Sequence, residues 1–143
     1  MKSKPVVMDR VSTTHTSFDV DLVLENNITF VNGYSGDGKS AVYSFLEELA
    51  TEDKRIRCFN YMSINENYKN VIRRSKGRLF IIDNADILLN DNIRMFIATD
   101  VTNQYLLFGR NPTGLMLVAD NIWELAHETK DGRTLFTLVN RLR

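Results

Sequence analysis

The stretch from Ile28 to Ala50, ITFVNGYSGDGKSAVYSFLEELA, constrains this chain more than any other. An apolar strand-like run (Ile28, Phe30, Val31) enters a loop, Gly33-Tyr34-Ser35-Gly36-Asp37-Gly38-Lys39-Ser40, and the loop opens into a helical pattern with apolar Val42, Phe45, Leu46 and Leu49. The loop fits G-x-x-x-x-G-K-[S/T] at every fixed position, in the strand–loop–helix context that the pattern requires. Glycines let the backbone take positive φ and approach an anion with no Cβ in the way. Successive N–H groups then wrap a phosphate, and the following helix aims its unsatisfied N–H groups and positive dipole end at the same charge. The expected phosphate contacts are Gly33, Tyr34, Ser35, Gly36, Asp37, Gly38, Lys39, Ser40 and Ala41. Lys39 would reach the β- and γ-phosphates, and the Ser40 hydroxyl would be a Mg²⁺ ligand. Asp37 places a negative charge in a loop meant for anions; facing solvent it is tolerated at some cost in affinity.

Bulk properties narrow the setting. With 143 residues the chain is expected to be a single domain (1–143) large enough to bury a core. Eighteen Lys plus Arg balance eighteen Asp plus Glu. That balance argues against a dominant nucleic-acid surface while leaving room for a local basic patch. The single cysteine, Cys58, has no internal partner for a disulfide, which suits a reducing, cytoplasmic setting. The start MKSKPVVMDR carries no apolar stretch of the secretory kind, and no apolar run approaches the ~20 residues of a membrane span.

Taken in order, Phe18, Val20, Leu22 and Leu24 alternate with polar residues as in a half-buried strand. Asn26-Asn27 is expected to turn this strand back into Ile28–Val31 as a short hairpin. Ser12 to Ser17 reads as a turn or edge, with His15 solvated. Arg55 to Asn60 reads as a strand with Ile56 and Cys58 on one face, Cys58 being a small core residue and not a reactive thiol. A basic helix is expected over Asn65 to Lys76, closed by Gly77. The cluster Lys69, Arg73, Arg74, Lys76 and Arg78 reads first as a solvated face and second as a polyanion contact. Four apolar residues, Leu79 to Ile82, closed by Asp83, suit a strand buried on both faces of a parallel sheet. A helix over Asp91 to Thr99 and a buried strand over Gln104 to Phe108 follow. From Leu115 the pattern turns β-like, and Asp131-Gly132 is the turn of a terminal hairpin. His127, on that hairpin, reads as structural or exposed.

The phosphate loop (Walker A) and the apolar strand ending in Asp83 (Walker B) resemble the P-loop NTPases. That resemblance implies an α/β fold: a three-layer arrangement with a mostly parallel central sheet, here with an N-terminal antiparallel β-hairpin and a C-terminal β-hairpin. It also implies ATP or another nucleoside triphosphate at the carboxyl ends of the strands, with Mg²⁺ held by Ser40 and Asp83. Within the class, LFIIDNADILLN (Leu79 to Asn90) and VADNIWELAHETKDG (Val118 to Gly132) resemble segments of ABC-type and SMC-like ATPases. The departures are as informative. Asn84 stands where those enzymes carry a Glu that polarises water, no LSGGQ-like signature is visible, and the spacing between the two motifs leaves no room for a helical subdomain. Gly109-Arg110 stands where their switch histidine would be, and Arg110 would sense the γ-phosphate or sit in a surface turn. Asp86 is the nearby carboxylate that would stand in as base.

Three functions compete on these residues. The first is a Mg-ATP-binding P-loop protein, a slow or partner-dependent ATPase or nucleotide switch acting with a protein partner or as a homodimer. The second is a non-catalytic nucleotide-binding interaction module. The third is a small-molecule kinase, for which the short apolar stretch Asn111 to Asp120 makes a poor lid. No N-K-x-D guanine motif is present.

Overall fold

The computed structural model describes residues 4–33, 38–65 and 67–140. In chain order its elements are strands β1 (Arg10–Thr14), β2 (Phe18–Val23) and β3 (Ile28–Asn32), helix α1 (Lys39–Ala50), strand β4 (Ile56–Phe59), a 3-10 helix (Tyr61–Asn65) and helix α2 (Tyr68–Arg74). Then follow β5 (Leu79–Ile82), α3 (Ala85–Leu88), α4 (Asp91–Thr99), β6 (Gln104–Gly109), a 3-10 turn (Ala119–Asn121), β7 (Ile122–Lys130) and β8 (Arg133–Val139). The strands form one mixed eight-stranded sheet in the order β1-β2-β8-β7-β3-β6-β5-β4. From β7 across to β4 every neighbouring pair is parallel. The β1–β2 and β7–β8 pairs are antiparallel hairpins, joined to each other by parallel pairing of β2 with β8. Arg133 fastens that joint, donating to both carboxylate oxygens of Asp19 (2.9 and 3.1 Å) and to the carbonyl oxygens of His15 and Thr16.

The register places one aromatic and aliphatic rung level across the parallel strands: Phe59, Ile82, Leu107, Phe30 and Ile122. Side chains alternate faces along a strand, and this alternation divides the core. Val31, Leu79, Ile81, Leu106 and Phe108 pack with Val42, Tyr43 and Leu46 of α1. Phe30, Phe80, Ile82, Tyr105 and Leu107 pack with residues of α2, α3 and α4. The sheet is thus covered by α1 on one face and by the other three helices on the opposite face. All of β5 and β6 is buried, as continuous apolar runs in a doubly covered parallel sheet should be.

Several expectations are corrected. Asn26-Asn27 is not a hairpin turn. The chain crosses there from the antiparallel part of the sheet to the parallel part, since β2 pairs with β1 and β8 whereas β3 pairs with β6 and β7. Both asparagines are buried and satisfy crossing backbone groups. Asn26 donates to the Asp120 carbonyl oxygen (2.7 Å), while Asn27 donates to that of Asn103 (2.8 Å) and accepts from the Val6 amide (3.1 Å). The N-terminal hairpin is formed instead by β1 and β2, with the polar cluster split between an edge strand and its turn. His15 is not solvated: its ring stacks on Phe45 of α1 (4.2 Å) and its Nδ1 lies 3.1 Å from Glu48. Helix α2 is shorter than expected, ending at Arg74 with Ser75 extended. Residues 111–118 form no strand. Among the described residues, no helix is long and apolar enough to cross a membrane.

Candidate functional site

The carboxyl ends of β3, β6 and β5 carry the residues singled out in the sequence. Asn32 pairs with Gly109, so β3 and β6, the strand that leads to Arg110, end side by side. Asp83 lies one residue beyond the level rung, on the strand at the far side of β6. Two strand spacings, about 10 Å, therefore separate the lines of β3 and β5. The chain leaves β3 into α1 on one face and leaves β5 into α3 on the other. Divergent exits of this kind open a crevice at the carboxyl edge of an open α/β sheet, where such folds bind ligands.

Gly33 closes β3 and is buried, and Gly38 is the N-cap of α1. Tyr34, Ser35, Gly36 and Asp37 lie outside the described residues. Gly38 has φ 95°, ψ 4°, a left-handed conformation that side chains rarely adopt, and no side chain caps the helix. A Cβ at Gly38 would lie 2.7 Å from Cε1 of Phe136, so glycine is needed there on two grounds. Lys39, Ser40 and Ala41 form the first turn of α1, whose leading N–H groups have no intrahelical acceptor.

By strand alternation Asp83 shares the face of Leu79 and Ile81, which is the face that α1 covers. Its Oδ1 accepts from the Asn84 amide (2.9 Å). Burial pushes the Asp83 carboxyl above its ordinary value, an effect that this hydrogen bond and the Lys39 charge only partly offset. The Lys39 charge thus acts on Asp83 from the first turn of α1. Tyr43, one turn along α1 from Lys39, is 4 % exposed, and its hydroxyl is buried without a hydrogen-bond partner. Burial pushes the Tyr43 hydroxyl well above its ordinary value, and Cys58, Glu47 and Asp83 add smaller effects in the same direction. Cys58 is a partly buried thiol pushed up to about 12, chiefly by burial, which fits an inert core residue.

Asn84 and Asp86 have structural tasks. Asn84 has φ 51°, ψ 44°, a left-handed conformation from which α3 starts and which Asn tolerates better than most residues. Asp86 accepts from the backbone amides of Arg110 (2.7 Å) and Asn111 (2.9 Å), one on each carboxylate oxygen. Arg94, buried in α4, holds the same loop from the other side, donating to the carbonyl oxygens of Asn111 (3.2 Å) and Thr113 (2.5 Å). The loop after β6 is thus pinned from two helices, and it presents Arg110 as an exposed residue next to the end of β3.

The sequence reading missed Tyr43, Phe136 and Arg94. A tyrosine in phase with Lys39 on the helix was visible as a signal for the first. The other two owe their places to pairings distant in sequence. The donor set, a Ser40 hydroxyl and a buried carboxylate at Asp83, is hard oxygen chemistry of the kind Mg²⁺ takes alongside phosphate oxygens and water. Among the described residues, no group of three or more His, Cys, Asp or Glu could hold a metal by itself. Compared with known proteins, the chain matches no family model, no curated protein and no solved structure.

Proposed function

We propose that the chain binds a Mg²⁺–nucleoside triphosphate, ATP in the leading reading, at the carboxyl edge of its parallel strands. The fold is then of P-loop NTPase type, and the protein is a slow or partner-dependent ATPase or nucleotide switch. One observation carries this reading. The left-handed Gly38 starts α1 directly before Lys39, whose charge acts on the half-buried Asp83 carboxylate at the end of β5. The pattern residues Gly33 to Ala41 supply backbone donors, Lys39 supplies charge to the β- and γ-phosphates, and Ser40 and Asp83 take the Mg²⁺. A cation beside Asp83 would also offset the burial that keeps its carboxyl raised.

Hydrolysis needs a group that orients water, and often an arginine finger worth ~10³–10⁵ in rate. Asn84 carries no carboxylate, and both oxygens of Asp86 already accept backbone amides. Turnover by the isolated chain is therefore slow, and a protein partner or a second copy supplies the missing group. Arg110 stands beside β3 to sense the γ-phosphate. A small-molecule kinase is disfavoured because the loop that would serve as its lid is held down by Asp86 and Arg94.

The test is calorimetry with a nucleotide panel, with and without Mg²⁺, and phosphate release followed in the same samples. The unaltered chain should bind ATP in a Mg²⁺-dependent manner, and Lys39→Ala should abolish binding. Undiminished affinity in that variant sinks the assignment.

A further inference from the structure

Charge is spread unevenly along a chain whose total is balanced. Residues 54–82 hold eight of the eighteen Lys and Arg and one of the eighteen Asp and Glu, Glu66, a local surplus of seven cations. The fold gathers most of that surplus at one corner. β4 is an edge strand of the sheet, and pairing of Ile56 with Leu79 sets the starts of β4 and β5 level. Lys54 and Arg78 stand just before those starts, and the Arg78 guanidinium donates to the Lys54 carbonyl oxygen (3.3 Å). Helix α2 ends on Arg73 and Arg74, and the chain runs through Lys76 into β5. Arg57 lies on the α2 face of β4, its guanidinium 5.3 Å from the centre of the Phe59 ring. The turn that carries Lys76 and Arg78 is held from β6. Buried Asn103 donates to the Ser75 carbonyl oxygen (2.9 Å) and accepts from the Arg78 amide (3.1 Å), and the Gly77 amide donates to the Thr102 carbonyl oxygen (2.8 Å).

Lys54, Arg57, Arg73, Arg74, Lys76 and Arg78 thus share the β4 side of the molecule, most of them at the amino end of the edge. Among the described residues none of the six pairs with a carboxylate, and the neighbouring Asp53 is taken by Arg55 (2.8 Å). The dipole of α2 favours cations in its last turn, which accounts for Arg73 and Arg74. It does not account for the other four, which lie off the helix. Like charges gathered without counter-charges repel one another, and the repulsion is relieved when a polyanion covers them.

We propose that this corner docks the phosphate backbone of double-stranded nucleic acid without reading its sequence. Four of the six cations are arginines, whose planar fork matches phosphate oxygens. Phe59 and Tyr68 are buried, and the exposed Tyr61 follows the far end of β4, so unpaired bases find no ring to stack on at this corner. Helix α2 uses its apolar side, Tyr68 and Ile72, on the core, which leaves it no apolar face for a lipid surface. Arg78 and Asp83 stand at opposite ends of β5, roughly 16 Å apart along the strand. The corner is therefore separate from the proposed nucleotide site and does not rest on it.

Fluorescence anisotropy of a short labelled duplex of mixed sequence, titrated with the full chain, tests the contact. With about four phosphates neutralised, affinity should fall ~150-fold between about 50 and 200 mM salt. Arg73→Gln, Arg74→Gln and Lys76→Gln together should roughly halve the slope of log affinity against log salt and weaken binding more than about tenfold at low salt. Arg73→Lys with Arg74→Lys should keep the slope, as should Lys130→Gln, which removes an exposed cation from the β7–β8 hairpin. Lys54→Gln with Arg57→Gln reads the same contact from β4 if the triple variant does not fold. The inference is overturned by any of four results: no duplex binding at low salt, an unchanged slope in the folded glutamine variants, an equal loss in Lys130→Gln, or tighter binding to a single strand of the same length. Binding to phosphatidylserine vesicles in place of the duplex overturns it as well.

Discussion

Gly38→Ala tests the close approach of the N-terminus of α1 to Phe136 on β8. Gly38 sits at φ 95°, and a Cβ there would meet Phe136 Cε1 at 2.7 Å and Cζ at 3.4 Å. Phe136 cannot simply swing aside. It is buried, and its ring stacks with Phe18 and with His127, each at 6.1 Å between centroids. Forcing an L-residue into the left-handed region costs ~1–2 kcal/mol. Overpacking a filled site adds ~1–3 kcal/mol. The less flexible unfolded chain returns ~0.4–1 kcal/mol. The net loss is then about 2–4 kcal/mol. With an unfolding entropy of ~2.1 cal/mol/K per residue, this corresponds to a fall in Tm of roughly 7–13 °C for the chain. Thermal and urea melts of Gly38→Ala, Phe136→Leu and the double variant separate the two contributions. Leu lacks the ring-edge atoms, so the double variant should lose ~1–3 kcal/mol less than the sum of the singles, the backbone part remaining. A Gly38→Ala loss below ~0.5 kcal/mol, the size of an ordinary surface substitution, or strict additivity, would refute the argument.

Asp83→Asn should stabilise the chain without ligand at neutral pH and, on the proposed function, abolish Mg²⁺-dependent stabilisation by ATP. The folded chain holds the Asp83 proton more tightly than the unfolded chain, whose ordinary value is 3.8, so this group's contribution falls as pH rises through that window to the folded value. Urea melts from acid to neutral pH should show that decline flattened in the variant; a variant less stable at neutral pH contradicts the sign. Asn84→Gly should be neutral or slightly stabilising, and Asn84→Glu should cost ~1–2 kcal/mol at φ 51°. Equal melting temperatures for Gly, Asn and Glu at this position would show that the left-handed backbone is not what selects Asn.

The parallel half of the fold was legible because its signals are local. Leu79 to Ile82 is a continuous apolar run, and such runs are strands covered on both faces. The helix over Asp91–Thr99 has an Asn90 side chain accepting from the Ile93 amide, and its bounds were readable to the residue. The terminal hairpin followed from Asp131-Gly132, both at positive φ in the structure. The Asn26-Asn27 crossover was illegible because an Asn pair has the same local preference in a two-residue turn as at a sheet junction. The choice is made by Asp120, Asn103 and Val6, which are remote in sequence. Tyr43 was passed over for Phe45 because helical periodicity alone does not say which flank of an apolar stripe the sheet will cover; Tyr43 is buried, and Phe45 is half-exposed against the β1–β2 hairpin.

By itself, the sequence determined the chemistry on offer: glycines ahead of a Lys-Ser pair, an apolar strand ending in a carboxylate, and an Asn directly after it. These follow from residue identity and short spacing. Tertiary structure decided what those groups face. Strand order and register put Asp83 on the α1 side of the sheet, because alternation along β5 fixes the face and β6 intervenes between β5 and β3. The same long-range pairing spent Asp86 on the backbone of the β6 loop and set Phe136 against Gly38. A carboxylate's role depends on which donors reach it, and those donors are brought by parts of the chain that no local pattern connects.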